Sequence, residues 1–346
     1  MISQFIVTAD LHLRDSPYED DLETSLKLLD DLGKLAKQER ATHIVCCGDV
    51  FHSKNPSHKL MIGVYNKFRH WRDRGITFIW LRGNHDLQIK SQETLSIMTL
   101  YDEVCMSLIE PYLWENETQM FFFVPWYGNS FINHLRHYAK IAALHSNKQK
   151  VMFAHTGLRE GRISEHFQGK GCVRAADFCE DLYDIILLGD YHMPQDVTDK
   201  IRYLGVPIPR NFADNKENYH PWLLSMTGKT RLEPLTLTNP YPKYRTHRMK
   251  NAGIIEAYSK FDKNRIVCSE QVAEELFSLY PDALYEYTQD VPKAESVTST
   301  RLEGVDTEDK FAVWEEFCIV KHYSPHLKEL GTEYLLGGER GICNGL

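Results

Sequence analysis

The sequence predicts an α/β fold: a largely parallel, twisted sheet covered by helices, followed by a small α+β appendage. Three observations carry this. Apolar runs of strand length alternate with amphipathic stretches of period 3.6 as far as residue 188. The helical pattern fades after residue 200. The charge balance then changes near residue 250.

The elements follow in order. Residues 2–8 alternate and are β-rich, which reads as a strand. "YEDDLETSLKLLDDLGKLAKQER" places leucines at 22, 26 and 29 and at 28, 32 and 35, the stripe of an amphipathic helix. "HIVCC" is a strand, "SHKLMIGVYNKFRHWRDR" a helix and "ITFIWL" a strand. "SQETLSIMTLYDE" reads as a helix capped by Ser91 or a neighbour. "MFFFV" (120–124), "KVMFA" (150–154) and "DIILL" (184–188) are further strands, with a helix near 130–145. "RYLG", "WLLSMT" and "RLEPLTL" read as short antiparallel strands closing the domain. The boundary falls in "TNPYPKYRTHRMKNAG" (238–253), giving a first domain of residues 1–240 and a second of 250–346. Within the second, "AEELFSL" and "KFAVWEEFCIV" carry helix and strand signals.

Composition is that of an ordinary soluble enzyme, with no run long and apolar enough to cross a membrane. The N-terminus lacks a basic region and a cleavage site, so no signal peptide is expected. The eight cysteines form no zinc-finger or Cys-x-x-Cys spacing, and a reduced cytoplasmic compartment fits them best. The net charge of −8 is uneven: residues 1–250 hold 31 Lys+Arg against 30 Asp+Glu, and residues 251–346 hold 9 against 18. The larger part is therefore free to meet a polyanion.

The chemistry gathers where strands end, the place at which open parallel sheets collect ligands. Strand 2–8 releases Asp10 and His12; strand 43–47 releases Asp49 and, three residues on, His52. Strand 76–81 releases Asn84 and His85, strand 150–154 releases His155, and strand 184–188 releases Asp190 and His192. Any one of these is more often a cap, a turn or a satisfied core histidine than a ligand. Five strand ends each carrying a nitrogen or oxygen donor point instead to shared divalent metals.

These same residues carry a family resemblance. Asp10-x-His12, Gly48-Asp49, Gly83-Asn84-His85-Asp86, His155 and Gly189-x-x-His192 resemble the five blocks of the calcineurin-like metallophosphoesterases. "GDVFHS" and the helix-rich insert after it resemble the SbcD-type nuclease subunit of double-strand-break repair, and the short chain resembles phage recombination nucleases. The match covers residues 1 to about 237.

The resemblance implies a sandwich of mixed sheets flanked by helices, with a small α+β C-terminal capping domain. It implies one metal on Asp10, His12, Asp49 and His192, and a second on Asp49, Asn84, His155 and Asp190. Manganese is the expected pair, with Mg, Fe or Zn as alternatives. His85 would protonate or stabilise the leaving oxygen, and His52 would touch the scissile phosphate. Where the family has Gly-His-x-His this chain has "GDYH", so Asp190 either adds an oxygen ligand or leaves the second metal with three donors.

The implied activity is two-metal hydrolysis of DNA, alone or beside an SMC-like ATPase, by a homodimer in a cytoplasm, the host's if a phage encodes it. Arg159, Arg162, Lys243 and Arg245, with Tyr241 and Tyr244, are the expected DNA contacts, against the plainer reading of a solvated linker. "MIGVYNKFRHW" and "LSIMTLY" suit either a dimer face or ordinary sheet-covering helices. The alternatives are a phosphodiesterase or phosphatase acting on small molecules or phosphoproteins, and a non-catalytic scaffold.

Overall fold

The computed structural model describes residues 4–16, 18, 20–87, 96–164, 167–168, 171, 173–214 and 219–288. All lie in one compact unit, Met1–Thr288; the second, Gln289–Leu346, is outside the described residues, and so is "KFAVWEEFCIV".

The chain begins β1 (Gln4–Thr8), α1 (Asp21–Gln38), β2 (His43–Cys47), α2 (His58–Arg72), β3 (Thr77–Leu81) and β4 (Met106–Leu108). It continues through β5 (Tyr112–Glu115), β6 (Gln119–Val124), α3 (Phe131–Ala143), β7 (Gln149–His155), the hairpin β8 (Arg162–Ser164) and β9 (Phe167–Gln168), and β10 (Ile185–Gly189). Then come β11 (Gln195–Asp196), β12 (Ile201–Tyr203), β13 (Trp222–Ser225) and β14 (Arg231–Pro234). The last described elements are β15 (Tyr244–Arg248), β16 (Lys263–Cys268), α4 (Glu270–Phe277) and β17 (Leu284–Tyr287).

Two six-stranded mixed sheets form, in the orders β14-β13-β1-β2-β3-β4 and β11-β12-β10-β7-β6-β5. Each has four parallel strands in a row, with antiparallel strands beside them. Alternate residues explain the arrangement. Phe5, Val7, Val45 and Ile79 meet Phe121, Phe123, Val151, Phe153 and Leu187 in the layer between the sheets. Ile6, Ile44 and Phe78 face the other way, onto Leu28, Leu29, Leu32 and Leu35 of α1 and Leu60, Val64, Phe68 and Trp71 of α2. Met120, Phe122, Met152, Ile186 and Leu188 likewise pack on Phe131, Leu135 and Tyr138 of α3. With both faces buried, these strands read as continuous apolar runs. Each large apolar side chain so buried stabilises the fold by roughly 1.5–3 kcal/mol.

The expected sandwich of mixed sheets is therefore present, although strand order along the chain had suggested one parallel sheet. Two local expectations need correction. "SQETLSIMTLYDE" gives only a 3₁₀ turn at Ile97–Tyr101 within the described residues, capped by Ser96, whose hydroxyl accepts from Met98 N–H at 3.3 Å; Ser91 lies outside them. β12, from "RYLG", pairs parallel with β10. Most apolar residues of "MIGVYNKFRHW" and "LSIMTLY" are spent on the core, with Ile62 and Leu100 left exposed.

β15, β16 and β17 form a separate parallel sheet with its own apolar cluster of Ile255, Ile266, Cys268, Ala273, Leu276 and Tyr280. Polar staples join this sheet and the segment leading into it to the N-terminal region. Tyr241 donates to Asp31 at 2.8 Å, Asn239 donates to the same carboxylate, and Arg14 donates to Tyr244. The two tyrosines expected to meet DNA are thus engaged inside the molecule.

Candidate metal centre

The strand-end residues converge. A cleft of about 150 Å³ is lined by His12, Asp49, His52, Asn84, His85, Asp190, His192, Arg210 and Asn211. Asp10 and His155 lie beneath it with no exposure. Asp10, His12, Asp49 and Asp190 all have positive φ, from 42° to 106°. Four non-glycine residues in that region at one place is backbone strain concentrated at a site.

Close approach requires the glycines here. Gly48 has φ +88°, and a Cβ on it would stand 2.0 Å from His155 Nδ1. A Cβ on Gly83 would stand 2.0 Å from Asp49 Oδ1.

Asp49 is central. Its Oδ1 accepts from His85 N–H at 2.9 Å, and its Oδ2 lies 3.6 Å from His155 Nε2 and 4.0 Å from His12 Nε2. Asp10 accepts the Asp190 N–H with both oxygens, at 3.0 and 3.1 Å, and stands 3.7 Å from His155 Nδ1. Two groups have ligand atoms mutually within 4.8 Å: Asp10, Asp49 and His155, and His12, Asp49 and His85. Asp49 belongs to both.

The hydrogen bonds fix the imidazole tautomers. His155 Nδ1 is 2.8 Å from the Cys47 carbonyl, which can only accept, so Nδ1 carries the proton. Its Nε2 then turns a lone pair toward three oxygens: Asn84 Oδ1 at 2.9 Å, Asp49 Oδ2 at 3.6 Å and Asp190 Oδ1 at 3.8 Å. Such an arrangement calls for a cation in the middle, a second proton or a metal. At His192, Nδ1 faces Asp214 at 3.0 Å, leaving Nε2 only 3.0 Å from His12 Nε2. Two donors held about 2.1 Å from one ion at right angles stand about 3.0 Å apart. The donor set therefore fits divalent metals, with His155, Asp49, Asn84 and Asp190 around one position and His12, His192 and Asp49 around another.

Titration follows the same logic. Burial foremost, then repulsion from Asp49 and Asp190, lifts Asp10 to about 7 against the pull of His155 and His192. Burial disfavours the His155 cation, but Asp49, Asp10, Asp190 and the Cys47 carbonyl reverse this and raise it to about 9. Burial holds His12 well below the usual imidazole range, assisted by His192, His85, His52 and Arg210. His155 stabilises the metal-free fold fully below its unfolded value of about 6.5 and loses that contribution through about 9; Asp10 acts with the same sign around 7. In chelator, the melting temperature should fall between pH 6 and pH 9, and excess Mn²⁺ should narrow the difference, since the metal replaces those protons. Equal metal-free melting temperatures at the two pH values would refute this.

Of the other expected residues, only His52 reaches the cleft. His52 is exposed at the cleft rim, and its carbonyl accepts from His85 Nδ1 at 2.9 Å. Arg159 is exposed on the loop after His155, and Arg162 is exposed at the start of β8. Lys243 and Arg245 line a larger cleft of about 640 Å³, where Arg245 pairs with Asp262. None of the four lines the metal cleft. Three more residues support it: Asp86, which stands in the Gly83-Asn84-His85-Asp86 block without an assigned role, and Arg210 and Asp214, which sequence reasoning missed. Asp86 accepts from Asp49 N–H, Gly83 N–H and Trp80 Nε1–H at 2.8–3.1 Å. Arg210 and Asp214 brace the two close histidines, and only their polar character marks them in sequence.

Residues 3–194 match the family model described as calcineurin-like phosphoesterase, more than half of the 346-residue chain. The chain belongs to this family. Its metallophosphoesterase fold thus carries the candidate Asp and His ligands where the strands end. Among solved structures, a dimetal phosphatase from Danio rerio is similar, with TM-score 0.45 and 12% identity over 68% of this chain and 99% of that one. The nuclease MPE of Pseudomonas putida matches at TM-score 0.26 and 16% identity, over 43% of this chain and 59% of that one. No curated protein matches the sequence. Among the described residues no helix is long and apolar enough to cross a membrane.

Proposed function

We propose that this chain is a two-metal-dependent DNA nuclease, of exonuclease or endonuclease action, serving DNA recombination, repair or degradation. The observation that favours a macromolecular over an enclosed small-molecule substrate is the size of the cleft; the choice of DNA rests on the resemblance carried by "GDVFHS". Pockets that enclose small-molecule substrates run to about 300–1,000 Å³. The cleft here, about 150 Å³, has room for a phosphate group but not for the rest of a nucleotide. A polymer whose backbone phosphate dips into the site fits that shape, and the near-neutral charge of residues 1–250 permits a polyanion.

Asp10, His12, Asp49 and His192 would hold one divalent ion, and Asp49, Asn84, His155 and Asp190 the other, with manganese the favoured metal. When bound, the ions supply Lewis-acid polarisation of the phosphate and an activated water. The chain's own residues do the rest. His85, its Nδ1–H held on the His52 carbonyl, has Nε2 left to give a proton to the departing oxygen. His52 at the rim touches the phosphate. Arg159, Arg162, Lys243 and Arg245 would hold flanking DNA outside the cleft. Residues from about 250 onward serve as a cap. By the SbcD resemblance, the chain works as a homodimer with an SMC-like ATPase.

The test is a substrate panel with Mn²⁺: linear duplex DNA, single-stranded DNA, a small aryl phosphodiester and a phosphoserine peptide. Degradation of DNA, abolished by chelator, with little turnover of the other two is expected. Preferential turnover of the aryl ester or the peptide would replace the nuclease reading with a small-molecule or phosphoprotein one.

A further inference from the structure

We infer that the turn Arg210–Asp214 is a clamp that sets the separation of His12 and His192, and so the affinity of the one metal position those histidines share. The inference rests on the two-metal reading above, but concerns residues beyond the 3–194 span that matches the family.

Both jaws of the clamp come from one turn. Asp214 is buried, and its carboxylate meets His192 Nδ1 at 3.0 Å through Oδ1 and 3.2 Å through Oδ2. Oδ2 also accepts the N–H groups of Arg210 at 2.9 Å and Asn211 at 3.2 Å. Asn211 Oδ1 closes the turn by accepting from Ala213 N–H at 2.7 Å and Asp214 N–H at 3.2 Å. The carboxylate is thus fixed before it touches the histidine.

The second jaw is Arg210. Its Nη2 donates to the His12 carbonyl and lies 3.5 Å from Ser25 Oγ, which itself accepts from Arg14 N–H at 3.0 Å and donates to the Arg14 carbonyl at 2.8 Å. The strained 10–14 segment is therefore pinned at His12 and just after it. Arg210 is buried, and its Nε has no partner among the described residues. A buried guanidinium left partly unsatisfied is costly, and packing alone gives no reason for it. Holding His12 against His192, Nε2 to Nε2 at 3.0 Å, does.

His155 is oriented differently, by the Cys47 carbonyl at the end of β2. The two metal positions thus rest on separate supports, and damage to the turn should separate them. Second-layer carboxylates typically change metal affinity about 10–100-fold.

The experiment is a calorimetric Mn²⁺ titration of the full metal-free chain, with the Mn²⁺ EPR signal followed in parallel and the melting temperature of each metal-free variant recorded. The unaltered chain should take up two equivalents. Asp214→Ala should weaken one of them about 10–100-fold and leave the other within about threefold. Asp214→Asn, which keeps an oxygen for the Nδ1–H, should recover most of the loss, and Arg210→Met should weaken the same equivalent as Asp214→Ala. Equal affinities in Asp214→Ala and the unaltered chain would overturn the clamp alone. So would parallel loss of both equivalents with a lowered melting temperature, the mark of a folding role. Failure of the unaltered chain to bind Mn²⁺ would overturn the two-metal reading and the clamp with it.

Discussion

Asp49→Asn is expected to cost both metal equivalents and to lower phosphodiester hydrolysis on the order of 10⁴-fold, about 5.5 kcal/mol of transition-state stabilisation. The size follows from position. Asp49 is the one carboxylate common to both donor groups, with Oδ2 between His155 and His12. An amide lacks the charge that makes an oxygen a strong ligand for a hard divalent ion. Its oxygen can still accept the His85 N–H now bound at 2.9 Å, so the Gly83–His85 turn survives. Metal content by mass spectrometry and activity, measured on protein with unaltered circular dichroism, check the result. One full equivalent retained in the variant would mean that the two positions do not share this ligand.

The metal centre was more legible in sequence than the layers that carry it. Asp10, His12, Asp49, Asn84, Asp190 and His192 come just after a strand and His155 ends one, and parallel strands deliver their carboxyl ends to one rim. Period alone also located α1, because Leu28, Leu29, Leu32 and Leu35 form its buried stripe. The second sheet was hidden because strands buried on both faces show no alternation that tells one sheet from two; Phe121 and Phe122 are equally buried yet face opposite layers. Of the cap expected at Ser91 or a neighbour, the described residues show Ser96, which precedes the 3₁₀ turn and accepts from Met98 N–H. Tyr241 and Tyr244 read as nucleic-acid contacts because a basic, aromatic run looks the same whether its hydroxyls face solvent or, as here, Asp31 and Arg14. Asp214 could not be found at all. A single acid in a loop has no spacing to betray it, and its partner His192 is 22 residues away.

His85→Gln should lower turnover of DNA about 10²–10⁴-fold while leaving both metal equivalents in place. The His52 carbonyl, 2.9 Å from Nδ1, fixes which nitrogen works: Nδ1 must hold its proton there, so any proton given to substrate leaves from Nε2. Glutamine keeps a polar group of similar reach but has no acidic proton to give. The loss should therefore depend on the leaving group. A DNA alkoxide needs the proton as its P–O bond breaks, whereas an aryl oxide leaves well without one, so with a nucleotide aryl ester the variant should fall less than about tenfold. The comparison also separates two uses of one imidazole, because His85 stands within ligand distance of His12 and Asp49. Were it a ligand, the variant would lose metal and fall equally on both substrates. Were it the acid, metal content would hold and the two substrates would part.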